Sequence, residues 1–136
     1  MSRNAARPLS PHLTIWRWGP AMLVSILHRA TGTAMATGGV VLLLWWLVAI
    51  AGGPESYGTF HFLVIDGLPL TNILARVVLV GLTWAFFQHL CSGLRHFVLD
   101  TGAGYELKTN KFWSTMTIVI SIAATAAVWV PILVRF

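Results

Sequence analysis

Charge is what this sequence has least of. Only 10% of its 136 residues are charged and just four are acidic, whereas 57% are hydrophobic and the mean hydropathy is +0.76. A soluble domain carries about a quarter charged residues, so this composition excludes an ordinary soluble fold and places the chain in a bilayer. Cysteine is almost absent too. Cys91 stands alone, which excludes an internal disulfide and a thiolate metal cluster and leaves packing as its expected role. No Rossmann-type glycine pattern occurs. A basic stripe is also missing: the formal charge of +5 comes from residues at the ends of apolar runs, where they orient helices and do not bind nucleic acid. The opening MSRNAARPLSPHL has neither the apolar core and cleavage site of a secretory signal nor the length of an Arg- and Ser-rich transit peptide. The expectation is a bacterial inner-membrane protein made without a presequence, with a processed organellar chain as the alternative.

The most informative stretch is AFFQHLCSGLRHFVLD, Ala85 to Asp100. As a helix it places His89 and His96 two turns apart, about 10 Å along one face, with Gly93 between them. A flat cofactor could lie there, with Gly93 admitting a ring, His89 ligating its metal, and Arg95 and His96 meeting acidic groups at its edge. The alternative is a helix ending at the membrane surface, with Arg95 and His96 reaching water and His89 satisfied by a neighbouring helix. Depth weighs against that alternative, because His89 lies about two turns in from the charged end, where a polar side chain usually has a functional reason.

Residues 1–20 hold Arg3, Arg7 and Arg17 with Pro8, Pro11 and Pro20, and Trp16 and Trp18 flank Arg17. They predict an extended interfacial segment, either a plain anchor or a dock for a soluble partner. Residues 21–136 then form a single domain of three transmembrane helices, at about 21–51, 70–99 and 112–134. In the first, SILHRATG puts Ser25, His28 and Arg29 at i, i+3 and i+4, so a polar ligand head could dock on that face. The alternative has Arg29 pairing with lipid phosphate and Ser25 bonding back to its own helix. Gly32, Ala36 and Gly39 form a small-residue strip for helix packing. The glycines and prolines of 52–72 predict a connecting loop, in which His61 and Asp66 make a poor metal signature.

Counting Lys and Arg by side sets Arg3, Arg7, Arg17, Arg29, Arg95, Lys108 and Lys111 against Arg76 and Arg135. The N-terminus and the Asp100 turn are therefore expected at the cytoplasmic face. Both motifs then lie at one membrane face and build a cationic, histidine-containing site, although spacing does not say for which ligand.

The combination RPLSPHLTIW, then SILHRATG, then HLCSGLRHFVLDTG closely resembles the cytochrome b anchors of succinate dehydrogenase, respiratory complex II. The likeness runs from Arg7 to about Glu106 and extends to length and helix count. One departure is Leu99, where these anchors more often carry an aromatic residue or methionine.

The resemblance implies an all-α integral membrane protein whose three helices share a bundle with a second small anchor subunit. It implies that His89 is one axial ligand of a haem b whose other ligand comes from that second subunit. His28, Arg29, Arg95 and His96 would meet the haem propionates. Ser25 and Arg29 would form part of the ubiquinone site, Ser25 donating to a quinone carbonyl oxygen and Arg29 stabilising reduced, negatively charged forms. Asp100 is the candidate for the proton path, with a helix-end carboxylate paired to Arg95 or His96 as its alternative. The implied partners are a flavoprotein subunit and an iron-sulfur subunit, which carry electrons from succinate, together with membrane lipid. Two other readings stand beside this one: the cytochrome b anchor of a fumarate reductase, and a haem-free structural anchor. A transporter is disfavoured by the lack of an internal repeat or a broken-helix pair.

Overall fold

A computed structural model describes residues 16–135, so Arg3, Arg7 and most of the expected N-terminal segment lie outside the described residues. The chain is all-α, with no strand among the described residues and three helices long and apolar enough to cross a membrane. Helix α1 spans Pro20–Ala51 and includes a π-helical turn at Met35–Gly39. Helix α2, Gly53–His61, runs on into a second π turn at Phe62–Asp66. Helices α3, Pro69–Asp100, and α4, Leu107–Arg135, complete the fold.

Pro20 and Pro69 open their helices in the first turn, where the missing N–H is no loss and the fixed φ already suits the helix. The apolar runs that follow reach mean hydropathies of 2.1, 1.7 and 2.3 over the best windows of α1, α3 and α4. At 32 residues, α1 and α3 are each about 48 Å long, more than a hydrocarbon core of about 30 Å requires. Their ends therefore extend into the headgroup layer or tilt to fit it.

The stretch 52–72 differs from the expected loop, because most of it is helical. Gly53 takes φ +83, so the reversal after α1 is made at one residue and the chain can wind again at once. Phe60 and Val64, four residues apart, then share a face and bury against Ala49, bordered by Leu42, Ala75 and Leu79. Glycine and proline punctuate this segment without unwinding it. At the other end, Gly102 and Gly104, with φ of 84 and 81, compress the α3–α4 turn, and α4 starts at Leu107, ahead of the expected position near 112.

Packing is inverted relative to a soluble core. The best apolar windows of α1, α3 and α4 are only 6%, 6% and 17% buried within the chain. The buried set is dominated by Thr31, Gln88, Ser92, Ser114, Thr117, Ser121 and Thr125. Lipid tails are as apolar as leucine, so large hydrophobic residues gain nothing by turning inward, and small or hydroxyl side chains let the helices approach. Gly32 and Gly39 of α1 meet His89 and Leu82 of α3, an antiparallel register that brings the end of α1 bearing SILHR to the end of α3 bearing LRH. Ala36, between those two glycines, is exposed, and the local π turn accounts for the break in the strip.

Candidate functional site

The α1–α3 contact gathers three histidines at one end of the bundle. The rings of His28 and His89 stack 3.8 Å apart at 13°, and His96 lies 5.5 Å from His28 at 60°. His28 thus packs against both histidines of the α3 face. Its Cε1 is also 3.9 Å from the position a Cβ would take at Gly93, so the ring nearest Gly93 is the imidazole of His28.

Hydrogen bonds assign the ring nitrogens. The Nδ1 of His89 lies 3.0 Å from the backbone oxygen of His28. A carbonyl can only accept, so Nδ1 carries the proton, and in the neutral ring Nε2 keeps its lone pair. Thr31 Oγ1 is 3.3 Å from the same Nδ1, while its own hydroxyl donates to the Leu27 oxygen at 2.7 Å. The Nδ1 of His28 meets Ser92 Oγ at 2.6 Å, and Ser92 donates to the Gln88 oxygen at 2.8 Å. With the hydroxyl proton so placed, His28 Nδ1–H is the donor to Ser92. Both imidazoles are therefore fixed through Nδ1, and neither Nε2 has a hydrogen-bond partner among the described residues. His89 thus has the tautomer arrangement of a metal-ligating histidine, in which one ring nitrogen is tied to a carbonyl and the other is left to coordinate.

Ser25 is half-buried and Arg29 exposed, one turn apart on α1 at the same end as the histidines. His96 is exposed there as well. Arg95 departs from this group: one position away from His96, it projects towards α4, where its Nη2 donates to Asn110 Oδ1. There it borders a cavity of about 430 Å³ with Cys91, Leu94, Val98, Trp113 and Thr117. Asp100 is exposed at the end of α3 and makes no ion pair among the described residues, neither with Arg95 nor with His96. At the far end of the bundle, His61 pairs with Asp66 at 2.9 Å across the π turn.

Thr31, Ser92 and Gly32 are the residues of this cluster that the sequence reading did not single out as site residues. Thr31 follows His28 by three positions and Ser92 follows His89 by three, so each hydroxyl sits one turn from a histidine. That spacing was a usable signal. The pairing of each hydroxyl with the histidine of the other helix was not visible, because it depends on the α1–α3 register.

Comparison with known proteins shows the family of the chain. Residues 3–128 match the family described as Succinate dehydrogenase/Fumarate reductase transmembrane subunit. The succinate dehydrogenase cytochrome b556 subunit of Paracoccus denitrificans is 39% identical over 102 residues, 75% of this chain and 73% of that protein. The corresponding Rickettsia felis subunit is 35% identical over 124 residues, covering 91% of each. The mitochondrial succinate dehydrogenase cytochrome b560 subunit of Sus scrofa is 36% identical over 101 residues, 74% of this chain and 57% of its own length.

Proposed function

Because the chain belongs to the succinate dehydrogenase/fumarate reductase transmembrane subunit family, we propose that it is the cytochrome b anchor of a succinate:ubiquinone oxidoreductase. In this reading it holds haem b together with a second small anchor subunit and contributes to the ubiquinone-reduction site. The observation that carries the reading is the state of His89, whose Nδ1–H is engaged by the His28 carbonyl so that Nε2 is left as a ligand. Arg29 supplies the positive charge that haem propionates need in a low-dielectric setting, and His28 and His96 lie at the same end of the bundle as further candidate propionate contacts. Arg95 adds to that charge from the α4 side, where Asn110 holds it. The haem, when bound, would supply a one-electron redox centre.

The chain's own residues bind and orient the quinone. Ser25 donates a hydrogen bond to a quinone carbonyl oxygen, and Arg29 stabilises negative charge developing on that oxygen. Asp100, free of any ion pair among the described residues, offers a carboxylate at the same membrane face for proton delivery. Succinate oxidation belongs to partner subunits, a flavoprotein and an iron-sulfur protein, because this chain lacks the cysteines and the nucleotide fold for either centre. Orientation follows from Arg17, Arg29, Arg95, Lys108 and Lys111 at the site end against Arg76 at the other. That distribution supports a site at the cytoplasmic face, in this reading that of a bacterial inner membrane.

The test is a reduced-minus-oxidised spectrum of the purified complex, with a pyridine haemochrome assay counting haem per copy of this chain. One b-type haem is expected. A quinone-active complex devoid of haem would make the chain a structural anchor and return His89 to packing.

A further inference from the structure

We infer that Gly32 is a positioning residue for His89, holding open the space that the imidazole must occupy to present Nε2 as a ligand. This rests on the haem reading above. Gly32 lies in right-handed helical backbone, since only Gly53, Gly102 and Gly104 have positive φ among the described residues. Its backbone thus has no need of glycine, and alanine would favour the helix. Clearance is what glycine supplies. A Cβ built at position 32 would stand 2.9 Å from His89 Cε1, 3.3 Å from Nδ1 and 3.9 Å from Nε2. The first distance is too short for any real carbon contact, so with alanine the ring as placed cannot persist.

Moving the ring costs it the contacts that orient it. One of its faces lies against His28 at 3.8 Å, and its Nδ1–H is tied to the His28 carbonyl at 3.0 Å. Gly32 and His28 sit one turn apart on α1, so a single turn provides the stacking face, the hydrogen-bond acceptor and the clearance. Displacing the ring by a few tenths of an ångström strains the Nδ1–H bond and turns Nε2, the two features that define the ligand. The companion residue Gly39 is different: a Cβ there would make ordinary contacts, 3.8 Å to Met35 and 3.9 Å to Leu82.

The experiment compares Gly32→Ala, Gly39→Ala and His89→Ala in the assembled complex, reading haem content, the low-spin EPR signal and the haem midpoint potential. Gly32→Ala is expected to weaken haem retention about ten- to a hundredfold and to shift the EPR signal of the remainder. Gly39→Ala should match the parent. The double variant Gly32→Ala/His89→Ala separates clearance for the ring from general helix packing. With the imidazole gone, it should assemble as well as His89→Ala alone, even if Gly32→Ala by itself does not. A parent-like EPR signal and potential in Gly32→Ala, or a double variant that assembles worse than His89→Ala, overturns the role of Gly32. Retention of a full haem complement by His89→Ala would instead overturn the ligand assignment beneath it.

Discussion

Two interfaces in this bundle bury polar side chains, and they use them differently. Along the α3–α4 seam the hydroxyls turn back on their own helix. Ser114 donates to the Asn110 oxygen at 2.6 Å, Thr117 to the Ser114 oxygen at 2.8 Å, and Thr125 to the Ser121 oxygen at 2.8 Å. Ser121 bridges the helices by donating to Gln88 Oε1 at 2.7 Å. Almost all the hydrogen-bonding capacity there is consumed internally, and Gln88 Nε2 is the exception, buried without a partner. Along the α1–α3 seam, internal bonds fix the rings of His28 and His89 through Nδ1 and leave both Nε2 atoms unengaged among the described residues. A polar residue in a membrane helix is therefore not in itself a site. What distinguishes the site is capacity left over on neighbouring residues whose orientation has been fixed, whereas Gln88 Nε2 stands alone.

The contrast breaks most sharply at His89. His89→Ala is expected to abolish haem binding, whereas Ser121→Ala leaves the haem complement unchanged; equal loss in both, read by pyridine haemochrome, would erase the distinction between the seams. Next in size is Arg29→Leu, expected to lower ubiquinone reduction about a hundredfold while succinate oxidation by a soluble acceptor persists. Ser25→Ala should do the same more mildly, about tenfold, the worth of one hydrogen bond. Parallel loss of both activities would assign these two residues to assembly. On the packing side, Gln88→Leu removes an amide that leaves one donor unpaired, and Ser121 keeps the Ile118 oxygen at 2.8 Å as acceptor. Its thermal stability should stay within about 1 kcal/mol of the parent, with an unaltered haem spectrum. The smallest effect is expected from Trp129→Phe, which keeps an aromatic ring and loses the 3.1 Å bond from Nε1 to Thr83 Oγ1. A cost of about 0.6 kcal/mol is typical of such bonds between membrane helices.

Much of the fold was legible because the bilayer imposes a simple rule on composition. Three apolar runs of sufficient length, bounded by arginine, lysine and aromatic residues, announce three spanning helices. The segment 52–72 was misread as a loop because glycine and proline weigh heavily in a local reading. At Gly53 and Pro54 they turn the chain and start a helix, and the burial of Phe60 and Val64 against Ala49 maintains it. Within the site, the shared face of His89 and His96 could be read from their spacing, and so could the hydroxyl, imidazole and guanidinium of SILHR. That Arg95 leaves this group for Asn110 could not, because a neighbouring position on a helix points about 100° away and only the place of α4 shows what it meets.

Sequence by itself determined the membrane class, the number of spans and the identity of the polar residues set into apolar helices, because each is a property of local composition and spacing; the family came from the resemblance of its motifs. Only the tertiary structure decided which of those residues meet. The antiparallel register of α1 and α3 stacks His28 on His89, sets the His28 carbonyl against Nδ1, and brings Gly32 to the edge of the ring. The physical reason is range. A helix determines the neighbours of a side chain within about one turn, whereas the partner across an interface depends on how two helices slide and rotate against each other, and in a membrane that is decided by small residues and hydrogen bonds summed over the whole contact.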